Sequence, residues 1–308
     1  MDLRSPRIAV VGAGAVGGYY GGRLAQHGLD VHFLLRGDYA AVAASGWTIR
    51  SCDGDFVLPP ARIHVYDDVR RMPTADLVIV ALKATSNHLY GPLIGPLLHE
   101  QTAILTLQNG LGNEERLAEL FGAGRVLGGL AFVCINRVGP GVIHHMDHGL
   151  VTIGEFVEGP SERACGIAEL FSRCRIRCRP LESLRHGRWE KLLWNVPFSG
   201  LGAALDLSSD RLIASEHGLA LVRALMGEVI AGAAAHGVTL SAELGEEKIA
   251  LTRTMGAYKS SMQIDRELGR AMEVEAIVGE PMRRSQARGV SVPHMAMLYR
   301  MLTLVNLG

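Results

Sequence analysis

Charge of one sign is what this 308-residue sequence lacks: 31 Lys and Arg meet 31 Asp and Glu, so the formal net charge is zero. Such balance argues against a nucleic-acid-coating polyelectrolyte and against a chain held open by self-repulsion. Lysine itself is scarce. Only Lys83, Lys191, Lys248 and Lys259 occur, which leaves 27 of the 31 basic residues as Arg. Cysteines number five, an odd count, and the charged start from Met1 to Arg7 is no secretory leader. A disulfide framework is therefore not expected, and reduced thiols in a cytoplasmic setting are. No apolar run approaches the roughly 18 to 20 residues that span a bilayer, because Arg, Glu, His or Lys interrupts each one. Neither a membrane nor a nucleic acid is an expected partner. What is present, 48% hydrophobic and 20% charged residues, describes an ordinary globular chain. Its length suits two domains of about 150 residues, each large enough for its own core.

Residues 7–35 are the most legible. Arg7-Ile-Ala-Val-Val11 has the length and apolarity of a buried parallel strand; Gly12-Ala-Gly-Ala-Val-Gly17 follows, a helical stretch runs to His27 and stops at Gly28, and Val31-His-Phe-Leu-Leu35 is a second strand. A G-x-G-x-x-G run alone is equally a flexible turn. Between a strand and a helix it is the pattern of a dinucleotide site. Gly12 would permit the tight turn, Gly14 the approach of pyrophosphate to backbone, and Gly17 close packing of helix on sheet. The helix start at Ala15 and Val16 would supply N–H groups and partial positive charge to the anion. At the end of the second strand stands Arg36 rather than an acid, which suits the 2′-phosphate of NADP(H). A solvent-facing Arg is the alternative, and Asp38 is close enough to compete as a ribose ligand.

Short strands and helices continue to alternate. Trp47 to Arg50 and Phe56 to Leu58 read as a hairpin around Asp53-Gly54. Strands at Asp76–Leu82 and Ala103–Leu107 end at Lys83 and at Gln108-Asn109-Gly110, with Asn113 placed to cap a helix from Glu114. Ligands of open α/β sheets sit beyond the carboxyl ends of the strands, so Gly12, Arg36, Lys83 and Asn109 should face one crevice. Asn109-Gly110 is equally a turn dipeptide. Val126 to Ile153 reads as β-rich with a turn at Gly139-Pro140-Gly141, followed by a helix from about Ser161 to Arg173 and a short strand near Ile176. Beyond Pro180 the pattern changes to helical periods without strands. The expected fold is α/β: an N-terminal Rossmann-type dinucleotide-binding domain over 1–182 and an all-α domain over 183–308.

In the second half, Trp189-Glu190-Lys191-Leu-Leu-Trp194-Asn195 sets Lys191 and Asn195 four apart on one helix face, with Ser199 another four along. The Lys either snorkels from an apolar helix or is aimed into a cleft. Farther on, Lys259-Ser260-Ser261-Met262-Gln263 precedes Glu273 and Glu275.

The glycine turn, the strand ending in Lys83, Gln108-Asn109-Gly110, Trp189-Glu-Lys191 with Asn195, and Ser260-Ser261-Met262 followed by Glu273 together resemble the ketopantoate reductase family. The likeness runs in order from about residue 7 to about residue 293, nearly the whole chain. It implies NADPH-dependent reduction of a 2-keto acid, ketopantoate to pantoate, by an NADP-binding domain and a helical domain. By resemblance Lys191 falls on the catalytic lysine and Glu273 on the active-site glutamate. Asn109, Asn195 and Ser261 fall on substrate- or nicotinamide-binding positions, and Arg36 and Lys83 on those of the adenosine phosphate. A homodimer through the helical domain, as in some relatives, is also implied. Ser199 stands where typical members carry a second substrate-binding Asn, Tyr258 where another Asn is common, Met272 in place of a Thr, and Glu275 in place of an Asp. A paralogue for a different ketoacid and a non-catalytic NADP-binding regulator are the alternatives.

Geometry adds one constraint. On a single straight helix, Ser261 and Glu273 would lie roughly 18 Å apart, too far for one small substrate. The sequence predicts a short helix near Ser261–Glu267, a break at Gly269 and a new helix from about Ala271, with Pro281 kinking or restarting the last segment. No metal site is expected. His144-His145-Met-Asp147-His148 reads as surface or turn histidines, the cysteines do not form C-x-x-C pairs, and Met255, Met262, Met272, Met295, Met297 and Met301 read as packing residues, Met272 also as a candidate pocket wall.

Overall fold

The computed structural model describes residues 3–157, 159 and 161–307. The chain divides into two compact units: Met1–Gln108 with Asn113–Leu184, and Asn109–Gly112 with Arg185–Gly308.

Ten strands form the sheet of the first unit: β1 (Arg7–Val11), β2 (Asp30–Leu34), β3 (Trp47–Ser51), β4 (Phe56–Leu58), β5 (His64–Tyr66), β6 (Leu77–Val80), β7 (Ala103–Thr106), β8 (Val126–Gly139), β9 (Val142–Glu155) and β10 (Cys178–Pro180). Their order is β4-β3-β9-β8-β7-β6-β1-β2-β5, with β10 beside β9. β1 pairs in parallel with both β2 and β6. The chain thus winds outward in both directions from β1, and the reversal between β1 and β6 opens a crevice at their carboxyl ends. Burial of both faces explains why β1 is apolar from Ile8 to Val11. Ile8 and Val10 join one core with Phe33, Leu77 and Ile79, while Ala9 and Val11 join another with Val78, Val80 and Ile104. Each fully buried Ile or Val contributes about 1.5–3 kcal/mol.

Five helices flank this sheet: α1 (Ala15–Gln26), α2 (Tyr39–Ser45), α3 (Tyr90–Ile94), α4 (Asn113–Phe121) and α5 (Glu162–Arg173). α5 starts at a Ser161 cap whose Oγ accepts from Ala164 N at 3.0 Å. The hairpin of β3 and β4 and the long hairpin of β8 and β9, turning at Gly139-Pro140-Gly141, lie where the sequence predicts them. β5 was not foreseen. Its three residues carry no legible alternation, and it exists as the edge partner of β2.

The second unit is helical: α6 (Leu184–Trp194), α7 (Gly200–Leu205), α8 (Ser209–Ala214), α9 (Glu216–Ala235), α10 (Ala242–Thr254), α11 (Ser261–Glu267), α12 (Glu280–Ala287) and α13 (Pro293–Val305). α9 corrects one expectation, since its 20 residues are long and apolar enough, by length and composition, to cross a membrane. Here it packs against α8, α12 and α13 and buries Val222, Leu225, Met226, Val229 and Ala233. Its buried Glu228 accepts from the N–H groups of His294 at 2.8 Å and Met295 at 2.7 Å, capping α13 with a carboxylate. α13 supplies another correction: Met297 and Met301 are exposed on its outer face beside Leu304, so they are not packing residues.

α11 ends as expected, with Gly269 at φ +60°. The helix does not resume at Ala271, however. Arg270 N–H donates to Asp265 O and Met272 N–H to Asn306 Oδ1 at 2.9 Å, which keeps 271–273 non-helical until Val274. A π-helical turn, Glu275–Gly279, then leads into α12, in which Pro281 is the second residue. A second π turn, Asn195–Ser199, joins α6 to α7 around Pro197, which the sequence reading passed over. Proline cannot donate to the carbonyl four residues back and its ring crowds that carbonyl, so the turn widens.

Candidate active site

The three motif glycines have three different surroundings, all within the first unit. Gly12 sits at φ +94°, and a Cβ there would lie 2.6 Å from Leu82 N and 2.7 Å from Ala81 C, so the turn closes against the backbone following β6. Gly17 faces inward: a Cβ would meet Gly12 O at 2.5 Å and Val10 Cγ1 at 3.0 Å, which lets α1 lie close on the sheet. Gly14 is the opposite case, with nothing within 4 Å of its Cβ position. It is the N-cap of α1, no side chain caps that helix, and no acid lies in the first turn. Its own N–H donates to Gly12 O at 2.8 Å, while its carbonyl accepts from Gly18 N at 2.9 Å. The next N–H groups, those of Ala15, Val16 and Gly17, begin a helix whose positive end opens on unfilled space. A pyrophosphate fits that cradle.

Arg36 follows β2 at the same end of the sheet. It is exposed, and no carboxylate among the described residues pairs with it. Asp38 does not compete for a ribose, which corrects that reading. It is buried, its Oδ1 pairs with Arg137 Nη1, and its Oδ2 accepts from Gly141 N at 3.4 Å. The acid is consumed in tying the start of α2 to the β8–β9 hairpin. Lys83 is exposed directly after β6, at the switch point.

Sequence reasoning missed the network that fixes the ends of β6 and β7. Thr106 Oγ1 and Tyr90 OH both donate to Gln108 Oε1; Gln108 Nε2 donates to Asn87 Oδ1 at 2.8 Å, and Asn87 Nδ2 donates to Asn113 Oδ1 at 2.8 Å. Buried polar groups satisfied in this way hold one geometry. Thr106 and Gln108, polar residues in an otherwise apolar run, were the available signal; Asn87 left none.

In the second unit, Asn109–Gly112 is fastened to the π turn after Glu273: Leu111 N–H donates to Ala276 O at 2.9 Å. Gly110, at φ +85°, is forced, because a Cβ would lie 2.2 Å from that carbonyl oxygen. Glu273 is buried, and its carbonyl accepts from Ile277 N at 3.1 Å, so it begins the turn onto which the Asn109 segment docks. The Asn195–Ser199 turn packs on the same Glu275–Gly279 turn and on α11. Asn195 and Ser199 are both buried, and Lys191 is half-buried one turn earlier on α6. Asn109, Asn195, Ser199 and Glu273 thus lie on elements that pack together.

Ser261 is exposed as the first residue of α11, whereas Ser260 caps that helix, its Oγ accepting from Gln263 N at 3.3 Å. Lys259, just before α11, pairs with Glu267 at the end of that helix at 2.6 Å and Lys248 pairs with Glu190 at 2.7 Å, so neither is a spare cation for a ligand. Met272 lies in the hydrophobic core rather than on a pocket wall. His145 is also not a surface residue. It is wholly buried, with Nδ1 2.9 Å from Ser51 Oγ and Nε2 3.1 Å from Asp147 O. Cys178 and Cys174 are not poised as thiolates, since burial pushes the Cys178 thiol up to about 12 and raises that of Cys174.

Comparison with known proteins bears on the whole chain. Residues 8–158 match the family model described as ketopantoate reductase PanE/ApbA, and residues 183–306 match its C-terminal counterpart. A 2-dehydropantoate 2-reductase of a Nostoc species is 42% identical, covering 99% of this chain and 96% of the relative. The crystal structure of a 2-dehydropantoate 2-reductase from Geobacter metallireducens superposes with a TM-score of 0.94 at 45% identity, covering 97% of this chain and 99% of that one. The corresponding crystal structure from Methylococcus capsulatus gives a TM-score of 0.88 at 33% identity, covering 98% and 97%. With both family models spanning nearly its full length, this chain belongs to the ketopantoate reductase family.

Proposed function

We propose that the chain reduces 2-dehydropantoate (ketopantoate) to pantoate with NADPH, with Lys191 as general acid. The observation that carries this reading is Lys191 half-buried one helical turn before buried Asn195, in a chain whose first unit holds an uncapped helix start behind a glycine turn. When bound, NADPH supplies the hydride for the carbonyl carbon. As the C=O bond becomes a single bond, its oxygen gains negative charge. The Lys191 Nζ ammonium stabilises that charge and donates one proton to the oxygen, so hydride and proton together convert ketone to alcohol. Asn109, Asn195, Ser199 and Ser261 offer amide and hydroxyl donors to fix the substrate carboxylate, and Glu273 offers an acceptor to orient Lys191 or hold a substrate hydroxyl.

Arg36 is assigned to the 2′-phosphate, supported by its exposure and by the lack of a carboxylate partner among the described residues. Arg36→Ala should weaken NADPH binding roughly 10–100-fold, the worth of a charge-assisted hydrogen bond, and leave NADH nearly unchanged. Fluorescence titration with both cofactors decides this, and equal losses would refute the assignment. A cytoplasmic location belongs to the same proposal, supported by five free thiols.

The substrate is tested by following NADPH absorbance over a panel of 2-keto acids. Turnover of ketopantoate far above the others is expected. Preference for another acid would favour a paralogous reductase, and tight NADPH binding with no turnover would favour a regulator. Of the departures from the family pattern, Met272 now weighs less for a paralogue, because its side chain fills the core. Ser199 keeps its weight as a short, buried side chain at a position that is substrate-binding by resemblance alone.

A further inference from the structure

The geometry points to a transition-metal site of the Zn²⁺ class at the amino ends of β2 and β5, built from Asp30, His32 and His64, at the opposite end of the sheet from the glycine turn. His32 and His64 are register partners on adjacent parallel strands, and their rings stack with centroids 4.7 Å apart. Both Nε2 atoms approach the same oxygen, Asp30 Oδ1, at 2.9 Å and 3.7 Å. All three donor atoms lie within 4.8 Å of one another. In a tetrahedral zinc site with bonds of about 2.0 Å, ligand atoms are about 3.3 Å apart. The two observed separations bracket that value.

Three further features favour an ion over a plain His–Asp pair. His32 is 6% exposed, and its Nε2, 2.9 Å from Asp30 Oδ1, makes no well-directed hydrogen bond, so this buried nitrogen meets the carboxylate in a geometry other than an ordinary hydrogen bond. The other ring nitrogen, Nδ1, lies 3.0 Å from the Tyr66 hydroxyl, the kind of outer contact that fixes a ligating imidazole. Arg7 Nε holds Asp30 Oδ2 at 3.0 Å, leaving Oδ1 as the oxygen turned to the histidines. Two imidazoles and a carboxylate suit a borderline ion with water in the fourth position. His64 is exposed and can close the remaining distance. Such an ion would staple the edge strand β5 to β2.

Cys52, Asp53 and His145 also lie close enough to share an ion, but they are the weaker cluster. Both His145 nitrogens have oxygen partners, and the Arg23 guanidinium binds the same Ser51 Oγ at 3.0 Å.

Full-length, tag-free protein stripped with a chelator should take up one Zn²⁺ per chain in calorimetric titration. His64→Ala, an exposed substitution, should weaken uptake more than about 100-fold, and Cys52→Ser should not alter it. Cobalt substitution should give visible d–d bands without a thiolate charge-transfer band. Absence of uptake by the wild-type protein, uptake surviving His64→Ala, or a charge-transfer band abolished by Cys52→Ser would each overturn the site. Circular dichroism of His64→Ala checks that its loss of binding is not loss of fold.

Discussion

Lys191→Ala is expected to lower kcat for ketopantoate reduction by a factor of about 10²–10⁴, while NADPH affinity stays within a factor of roughly three because the cofactor cradle is built from other residues. In the proposed mechanism the ammonium acts on an oxygen that is neutral in the ground state and charged in the transition state, so its removal should appear in kcat before KM. Lys191→Arg keeps the charge but replaces a point donor with a planar one that rarely releases a proton, and it should recover little of the rate. A half-buried residue on α6 can also matter for folding. The thermal transition of each variant must therefore match the parent. Unchanged kcat in a folded Lys191→Ala protein would end the general-acid assignment.

Gly12→Ala should strongly destabilise the first unit. The left-handed φ of +94° costs a non-glycine residue about 1–2 kcal/mol, and the added methyl would press on Leu82 N and Ala81 C, backbone atoms that cannot swing aside. Overpacking of that kind adds about 1–3 kcal/mol. The sum of about 2–5 kcal/mol is a large part of an ordinary domain's stability. Gly14→Ala separates folding from binding. With φ −80° and nothing within 4 Å, it should unfold within about 0.5 kcal/mol of the parent yet bind NADPH more weakly if the open space beside it takes the pyrophosphate, as the glycine-turn reading expects. Urea unfolding and NADPH titration of both variants read this out. Equal stability loss at the two positions would show that the surroundings of these glycines have been misread.

The sequence made the first fold elements legible because their signals are local. Strand, glycine turn, helix and strand follow one another from Arg7 to Leu34, and Ser261–Glu267 ends at a glycine that takes a positive φ. What escaped was decided by residues far away in the chain. Asp38 looked free for a ribose until Arg137, 99 residues on, claimed it. The resumption of helix at Val274 rather than Ala271 depends on Asn306 taking the Met272 N–H. β5 has no pattern of its own and forms because β2 has an edge to offer. Pro281 was read as a kink and Pro197 was not, although each accompanies a π turn. Among candidate site residues, the types Lys191, Asn195 and Glu273 could be named from motif order. Asn87 and Tyr90, which brace the chain before Asn109, could not, since nothing near them in sequence marks them.

The segment Asn109–Gly112 also constrains when the protein can be finished. Leu111 is bonded to Ala276, 165 residues later. At ribosomal speeds of about 5–20 residues per second, the acceptor emerges roughly ten to thirty seconds after the donor. β7 and α4, on either side, can form while this tetrapeptide waits, two of its residues being glycines at positive φ. A nascent chain paused before Ala276 therefore carries every strand of the sheet, with an unanchored loop at the carboxyl end of β7. Folding of the second unit then sets the time at which Asn109 takes its final conformation.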